Sequence, residues 1–198
     1  MRRLEPPLEP GRVYRTKEFG AWARNPFALA TRLVAEGQLR HLGHGLYYFP
    51  EQSRFGALPP DEHELVRAFL CGRPFVFSGT AAWNGLALGT TQVSMVPLVY
   101  NENRSGLLEL NRRRYQFRRT RFPEHPSAEW FAVDFLNNLD DIVDADPDRN
   151  LRALQRRLQR DLDPLKFAEA LDKFGSRRAK ALAREHRLLD VGERPNAA

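Results

Sequence analysis

The sequence predicts an α+β fold in two modules, at 11–58 and 61–190. The chain has 198 residues, 42% of them hydrophobic, which is enough to form one large core or two small ones. Helical spacing and short β-prone runs, such as Leu46–Phe49 and Phe75–Phe77, alternate over the first two thirds, whereas 130–190 shows only helical patterns. The Pro-, Gly- and Ser-containing segment Glu51–Pro60 marks a loop between the modules.

The first module begins with two predicted helices. Thr16 is a candidate N-cap for a short helix over Lys17–Ala23, with Phe19 and Trp22 inward. Asn25 followed by Pro26 is a strong helix start, and it predicts a second helix over Pro26–Glu36 that ends at Gly37. On this second helix the spacing predicts an inward stripe of Phe27, Ala30, Leu33 and Val34, and an outward face of Ala28, Thr31, Arg32 and Ala35.

A β-hairpin is predicted directly after these helices. Leu39–Leu42 and Leu46–Phe49 are joined by Gly43-His44-Gly45, and glycine suits such a turn. We expect Arg40, His41 and His44 at the tip of this hairpin. Two helices followed by such a hairpin are typical of a winged helix-turn-helix.

The second module is predicted to be mixed α/β with a helical end. A strand at Phe75–Phe77 precedes a helix through Leu88, capped by Ser78 or Thr80, and Val93–Tyr100 is another strand candidate. Further predicted elements are a hairpin of Leu107–Leu110 and Arg114–Arg119 around Asn111–Arg113, and helices with a Leu151, Leu154, Leu158 stripe, an Asp163-Pro164 start and a Ser176 cap.

The charge distribution indicates a polyanionic partner. The net charge is +6, of which residues 1–60 carry +4, residues 61–130 carry +2 and the remainder none. We therefore predict that the first module binds DNA. Arg24, Asn25, Ala28, Thr31 and Arg32 would lie nearest the bases, and Arg12, Arg15, Lys17, Arg40 and His44 would hold the phosphate backbone.

A second basic surface is predicted around the later hairpin. Six arginines occur in the ten positions Arg112–Arg121, and Arg112, Arg114, Arg118 and Arg119 are the candidates for phosphate contact. The alternative is a solvated hairpin in which Tyr115 and Phe117 pack into the core.

No catalytic or metal site is predicted. The five histidines lack ligand spacing, and Ser78-Gly79-Thr80 is not followed by the Gly-Lys-Ser/Thr of a phosphate loop. The single cysteine, Cys71, excludes an internal disulfide. The aspartates from Asp134 to Asp148 (Asp134, Asp140, Asp141, Asp144, Asp146 and Asp148) are interpreted as solvent-facing charges. We therefore expect a protein that is not an enzyme and uses no cofactor.

The apolar runs are too short for a bilayer span, which takes about 20 residues. The N-terminal residues also lack the apolar stretch of a signal peptide. A cytoplasmic protein with no membrane partner is therefore expected.

The chain resembles the AbiEi-type antitoxins of type IV toxin–antitoxin systems. The matching segments are Tyr14–Pro50, Phe75–Asn101 and Asp163–His186, in that order. The resemblance implies an N-terminal winged helix that binds inverted repeats in its own promoter and represses it. It also implies a C-terminal domain that counteracts a nucleotidyltransferase toxin, AbiEii. The short proline-rich segment Leu4–Pro10 and the arginine-rich strand depart from the family pattern.

Two alternatives remain open. The chain could be an orphan winged-helix regulator, or a protein-interaction module, in either case without a toxin partner. A nucleic-acid enzyme would need a carboxylate or histidine cluster that the sequence does not assemble.

Overall fold

A computed structural model describes residues 6–88, 95–142 and 146–190, and it confirms the predicted α+β class. The described residues form two compact units. Unit 1 comprises the described residues of Met1–Phe75 and Gly106–Tyr115. Unit 2 comprises the described residues of Val76–Ser105 and Gln116–Ala198. The boundary predicted between residues 58 and 61 therefore lies within unit 1, which also receives a segment from later in the chain.

The first half of unit 1 is a small antiparallel sheet with two helical segments. Its strands have the order β1-β3-β2, with Tyr14 opposite Tyr47. In chain order the elements are β1 Val13–Arg15, a 3₁₀ helix Thr16–Ala21, α1 Pro26–Ala35, β2 Arg40–Gly43 and β3 Leu46–Tyr48. The predicted second helix and hairpin are thus confirmed.

The first helical segment differs from the prediction, since it is a 3₁₀ helix with Arg15 at its N-cap position. The Thr16 hydroxyl donates to the Gly45 carbonyl at 3.1 Å, so it does not cap the helix. The Glu18 carboxylate accepts from the Arg15 backbone N–H at 2.8 Å and secures the start of this turn.

The inward stripe predicted for α1 was partly wrong. Ala30 and Leu33 are buried as expected, but Phe27 is 64% exposed and Leu29 takes a buried position at 8% exposure. Tyr14, Phe19 and Tyr47 form the core that receives this side of the helix. The buried side is therefore rotated toward Leu29, and Phe27 joins the outer face.

Unit 1 also contains a hairpin and a helix after the sheet. These are β4 Gln52–Ser53, β5 Gly56–Ala57 and α2 Glu62–Phe69, which begins at an Asp61 cap. The β1 backbone N–H of Val13 donates to the Glu64 carboxylate at 3.2 Å, which ties α2 to the sheet.

The later strands form a four-stranded sheet of order β6-β7-β9-β8. Strands β7 and β9 are parallel, with Val99 opposite Phe117. The elements are β6 Phe75–Ser78, α3 Thr80–Gly85, β7 Leu98–Asn101, β8 Gly106–Leu110 and β9 Arg113–Arg119. The first residues of the strand predicted at Val93–Tyr100 lie outside the described residues, and α3 is capped by Gly79 rather than by Ser78 or Thr80.

The remainder of unit 2 is helical, as predicted. Asp163 and Ser176 are N-caps whose side chains accept from backbone N–H groups, and Pro164 occupies the first helical position. The helices are α4 Ala128–Asn137, a 3₁₀ turn Leu139–Asp141, α5 Pro147–Arg160, α6 Pro164–Phe174 and α7 Arg177–Glu185. Across the described ranges, no helix combines the length and apolar character needed to cross a membrane.

Candidate nucleic-acid interface

The outer face of α1 is the most accessible part of the first predicted site. Asn25 caps the helix by accepting from the Ala28 backbone N–H at 3.0 Å. Both Arg24 and Asn25 are exposed, so the start of the helix faces solvent. The face itself consists of exposed side chains that are apolar or small, namely Phe27, Ala28, Thr31 and Ala35.

Arg32 lies at the edge of this face and has an intramolecular partner. Its Nη1 donates to the Glu36 Oε1 at 2.8 Å, one helical turn later. Its charge is therefore offset by a carboxylate, whereas Arg24 forms no ion pair within the described residues.

The hairpin of β2 and β3 turns tightly through residues with positive φ. His44 has φ 51° and Gly45 has φ 70°, as a type I′ two-residue hairpin loop requires. A His44 ring nitrogen lies within hydrogen-bond distance, 3.1 Å, of the Glu109 carbonyl oxygen, and the ring contacts Phe69 edge-on. Arg40 is exposed but pairs in register with Tyr48, so it lies at the open end of the hairpin and not at the predicted tip.

The candidates just before β1 and at its end, Arg12 and Arg15, are largely engaged within unit 1. The Arg12 guanidinium donates to Glu9 at 3.2 Å and to Glu18 at 3.1 Å. Arg15 donates from one Nη1 to the carbonyls of Ala68 and Phe69, both at 3.0 Å, and so satisfies the end of α2.

Lys17 is exposed and forms no ion pair in the part of the chain that the structure describes. Together with Arg12 and Arg15 it lines a pocket of about 580 Å³. Arg67 adds a fourth cation to this pocket, and three glutamates line it as well (Glu9, Glu18 and Glu64). The pocket is therefore close to neutral.

The predicted second basic surface is divided between the units. Arg112 and Arg114 are exposed at the β8–β9 turn of unit 1, where Asn111 and Arg112 have φ 49° and 62°. The Asn111 backbone N–H donates to the Leu42 carbonyl at 3.3 Å, which fixes this turn beside the β2–β3 hairpin. The neighbouring residue Arg113 forms an ion pair with Glu62 of α2 at 2.5 Å.

The other two members of that surface belong to unit 2. Arg118 donates to the Asn138 side-chain oxygen at 2.5 Å and lies 3.5 Å from Asp141. Arg119 is exposed. Tyr115 and Phe117 are buried, as the alternative interpretation required.

A buried polar cluster in unit 2 was missed by the sequence analysis. Asp134 is 2% exposed, which contradicts its interpretation as a solvent-facing charge, whereas Asp140, Asp141, Asp146 and Asp148 are exposed. Asp144 lies outside the described residues. No sequence signal distinguished Asp134 from its neighbours except its place among the apolar residues of α4.

Hydrogen bonds satisfy this carboxylate on both oxygens. Oδ2 accepts from the Ser78 hydroxyl and from Trp83 Nε1 at 2.9 Å. Oδ1 accepts from the Tyr100 hydroxyl at 2.6 Å and from Asn138 Nδ2 at 3.1 Å. Burial raises the pKa of Asp134 above its ordinary value, since desolvation outweighs these stabilising hydrogen bonds. Burial also raises the pKa of the Tyr100 hydroxyl.

Potential metal ligands do not come together in the described ranges, where no group of three or more His, Cys, Asp or Glu side chains could hold an ion. Trp83, one of the donors to Asp134, also belongs to the hydrophobic core of unit 2, where its ring packs edge-on against Phe135.

Comparison with known proteins gives a likeness of fold. No family model and no curated protein matches the chain. The crystal structure of the RV2827C protein from Mycobacterium tuberculosis aligns with a TM-score of 0.58 at 15% sequence identity. The alignment covers 93% of this chain and 73% of that one. It supports the mixed α+β architecture along nearly the whole length.

Proposed function

We propose that this protein is a cytoplasmic DNA-binding repressor whose unit 1 acts as a winged helix-turn-helix on inverted repeats in its own promoter. The observation that carries the proposal is the solvent-exposed outer face of α1, the helix that begins at the Asn25-Pro26 cap. Among the described residues, no other helix or strand covers this face. Binding needs no metal or cofactor, and we propose no catalytic activity.

In this proposal α1 enters the major groove with its N-terminal half nearest the bases, as recognition helices do. Arg24 and Asn25 approach the adjacent backbone or base edges. Lys17, Arg112 and Arg114 are exposed cations of unit 1 that supply phosphate contacts. Arg12 and Arg15 contribute less than the sequence suggested, because carboxylates and helix carbonyls already engage them.

The decisive experiment is a salt-titrated gel-shift assay with the duplex directly upstream of the gene and a shuffled duplex of equal composition. We expect a clear preference for the promoter. The double variant Arg112→Ala/Arg114→Ala should weaken binding to both duplexes and lower the salt slope by about two, one for each lost phosphate contact. Arg54→Ala is the matched control, since Arg54 is an exposed unit 1 arginine that stacks on Phe55, outside the proposed surface.

Base reading is tested separately from phosphate contact. Guanine reading by Arg32 would appear in Arg32→Ala as a loss of about 1–3 kcal/mol at the promoter with a relaxed base preference, whereas Arg40→Ala should weaken all sequences similarly. Equal affinity of the wild-type protein for promoter and shuffled duplexes would reject the repressor proposal.

We further propose that the protein counteracts a nucleotidyltransferase toxin. Its support is the sequence resemblance to AbiEi-type antitoxins over three segments. Where a nucleotidyltransferase toxin is encoded beside the gene, co-expression of this protein should restore the growth that the toxin alone arrests. If the growth arrest were unchanged, the antitoxin proposal would be rejected and the orphan regulator, the alternative given by the sequence, would be favoured.

A protein-interaction module is the second candidate, and Phe27 favours it. A phenylalanine 64% exposed beside small residues is also typical of a protein contact. Phe27→Ala would then abolish capture of a protein partner and leave affinity for the promoter unchanged.

A further inference from the structure

The outer face of α1 has an unusual chemistry for a helix proposed to read DNA. Its four exposed residues, Phe27, Ala28, Thr31 and Ala35, present an aromatic ring and methyl groups, with one hydroxyl as the only hydrogen-bonding side-chain group. Side-chain hydrogen bonds therefore contribute little to what this face can recognise. Apolar contact dominates it.

The arginine that would supply a hydrogen-bonded readout is held elsewhere. Arg32 donates to Glu36 at 2.8 Å, so its guanidinium is drawn along the edge of the helix toward its C-terminal end. Reading guanine with both arms of this guanidinium would require breaking that ion pair. The face itself is left to Phe27, Thr31 and the two alanines.

We propose that α1 recognises thymine methyl groups, so that the bound sequences are rich in A·T pairs at the positions facing this helix. The inference rests on the proposed DNA-binding function. In the major groove only thymine presents a C5-methyl group, and alanine, the threonine methyl and phenylalanine are its usual contacts. All three residue types are present on this one face.

The spacing of the face suits successive base pairs. Phe27 and Thr31 are one turn apart, a rise of about 6 Å, and Ala28 neighbours Thr31 on the same side. Base pairs are separated by about 3.4 Å, so this rise spans about two steps. Two or three methyl groups can therefore meet the face at once.

Charge complementarity favours duplex DNA over an apolar protein groove as the occupant. The face is preceded by the exposed Arg24, and unit 1 adds the exposed Lys17, Arg112 and Arg114. A hydrophobic protein groove offers no partner for these cations, whereas phosphates do.

Uracil substitution tests the inference, because deoxyuridine lacks only the methyl group. The probe is the duplex directly upstream of the gene, made once with thymidine and once with deoxyuridine throughout. Burial of one methyl group corresponds to about a fourfold change in affinity, so loss of two or three should weaken binding about fifteen- to sixtyfold. A third probe carries 7-deazaguanine, which removes the N7 acceptor that an arginine would need, and should bind as well as the unmodified duplex.

Variants separate the contact from indirect effects of uracil on the duplex. Phe27→Ala/Thr31→Ser removes the apolar groups from exposed positions, so the fold is kept and the ratio between the thymidine and deoxyuridine duplexes should fall toward one. Leu165→Ala is the control, because Leu165 is 77% exposed on α6 in unit 2, and it should keep the full ratio.

Equal affinity of the wild-type protein for the two duplexes, with the promoter preference retained, would overturn the methyl readout and leave the proposed repressor intact. Weaker binding to the 7-deazaguanine probe alone would assign base reading to Arg32 instead. Absence of any promoter preference would overturn both.

Discussion

Replacing Asp134 with alanine should destabilise unit 2 strongly. The carboxylate is 2% exposed and accepts hydrogen bonds from four side chains. They are Ser78 on β6, Trp83 on α3, Tyr100 on β7 and Asn138 at the end of α4. Alanine removes the shared acceptor and leaves these donors in the core.

The size of the stability loss depends on which of the four donors keep a hydrogen-bond acceptor in Asp134→Ala. Asn138 Nδ2 still donates to the Tyr100 hydroxyl at 2.9 Å and to the Asp134 backbone carbonyl at 2.7 Å. The Ser78 hydroxyl, Trp83 Nε1 and the Tyr100 O–H lose the acceptor that Asp134 provides, and each unsatisfied buried donor costs about 1–3 kcal/mol. Removing the buried charge recovers part of this cost. We expect a net loss of about 3 kcal/mol.

Urea unfolding followed by tryptophan fluorescence provides the assay, since Trp83 and Trp130 lie in unit 2. Asp140→Ala is the matched control, because its side chain is 69% exposed and 3.6 Å from Arg178, and it should change stability by less than about 0.5 kcal/mol. A loss below about 1 kcal/mol for Asp134→Ala would refute the view that this cluster depends on the carboxylate.

The raised pKa of Asp134 adds a pH signature. A carboxyl whose pKa is higher in the folded than in the unfolded state contributes stability that is fully present below the unfolded value and is lost as the pH rises through the folded value. Asp134→Asn cannot titrate. The stability of the wild-type protein relative to this variant should therefore fall as the pH rises from the unfolded pKa through the folded one, measured by urea unfolding across that range.

Three further substitutions test separate features of the structure. Glu36→Gln releases Arg32 and removes a negative charge from the edge of α1, so affinity for DNA should rise and the salt slope should increase by about one in gel-shift titrations; unchanged binding would place this edge away from phosphates. Arg15→Ala removes the donor to the last carbonyls of α2 and should lower the free energy of unfolding by about 1 kcal/mol, with little effect on the salt slope; a lost phosphate contact without destabilisation would contradict this. Arg156→Glu turns the like-charge pairs of residue 156 with Arg152 and Arg160, four residues away on each side along α5, into opposite-charge pairs. Thermal unfolding should show a free energy of unfolding higher by about 1 kcal/mol at low salt, and this increase should vanish in high salt.

Local chemistry allowed much of the fold to be predicted. The starts of α1, α6 and α7 were predictable because a capping side chain, or a cap followed by proline, acts within three residues of the helix. The tight turn of the first hairpin was predictable for the same reason. The rotation of α1 was not, since the side that packs is chosen by Tyr14 and Tyr47 on distant strands.

In the candidate site too, features set by neighbouring residues were predictable, whereas contacts between residues far apart in the chain were not. Exposure of Ala28 and Thr31 followed from helical spacing. The pairing of Arg15 with α2 depended on residues more than fifty positions away, as did the meeting of Asp134 with Ser78. An acidic run is typical of a solvated surface, and the apolar neighbours of Asp134 on α4 were the only local indication that this member is buried.

The position of the free positive charge in unit 1 follows from these long-range contacts. The sequence places Arg12 and Arg15 beside and on β1, yet Arg12 meets two carboxylates and Arg15 meets helix carbonyls, so this part of unit 1 has little charge left to offer a polyanion. The β8–β9 turn enters unit 1 from later in the chain and carries three consecutive arginines, of which Arg113 is paired with Glu62. Arg112 and Arg114 remain exposed beside the first hairpin, held there by the bond from Asn111 to Leu42. A unit built on residues 11–58 alone would lack these two cations, so the exposed positive charge of unit 1 depends on a segment that the sequence analysis assigns to the other module.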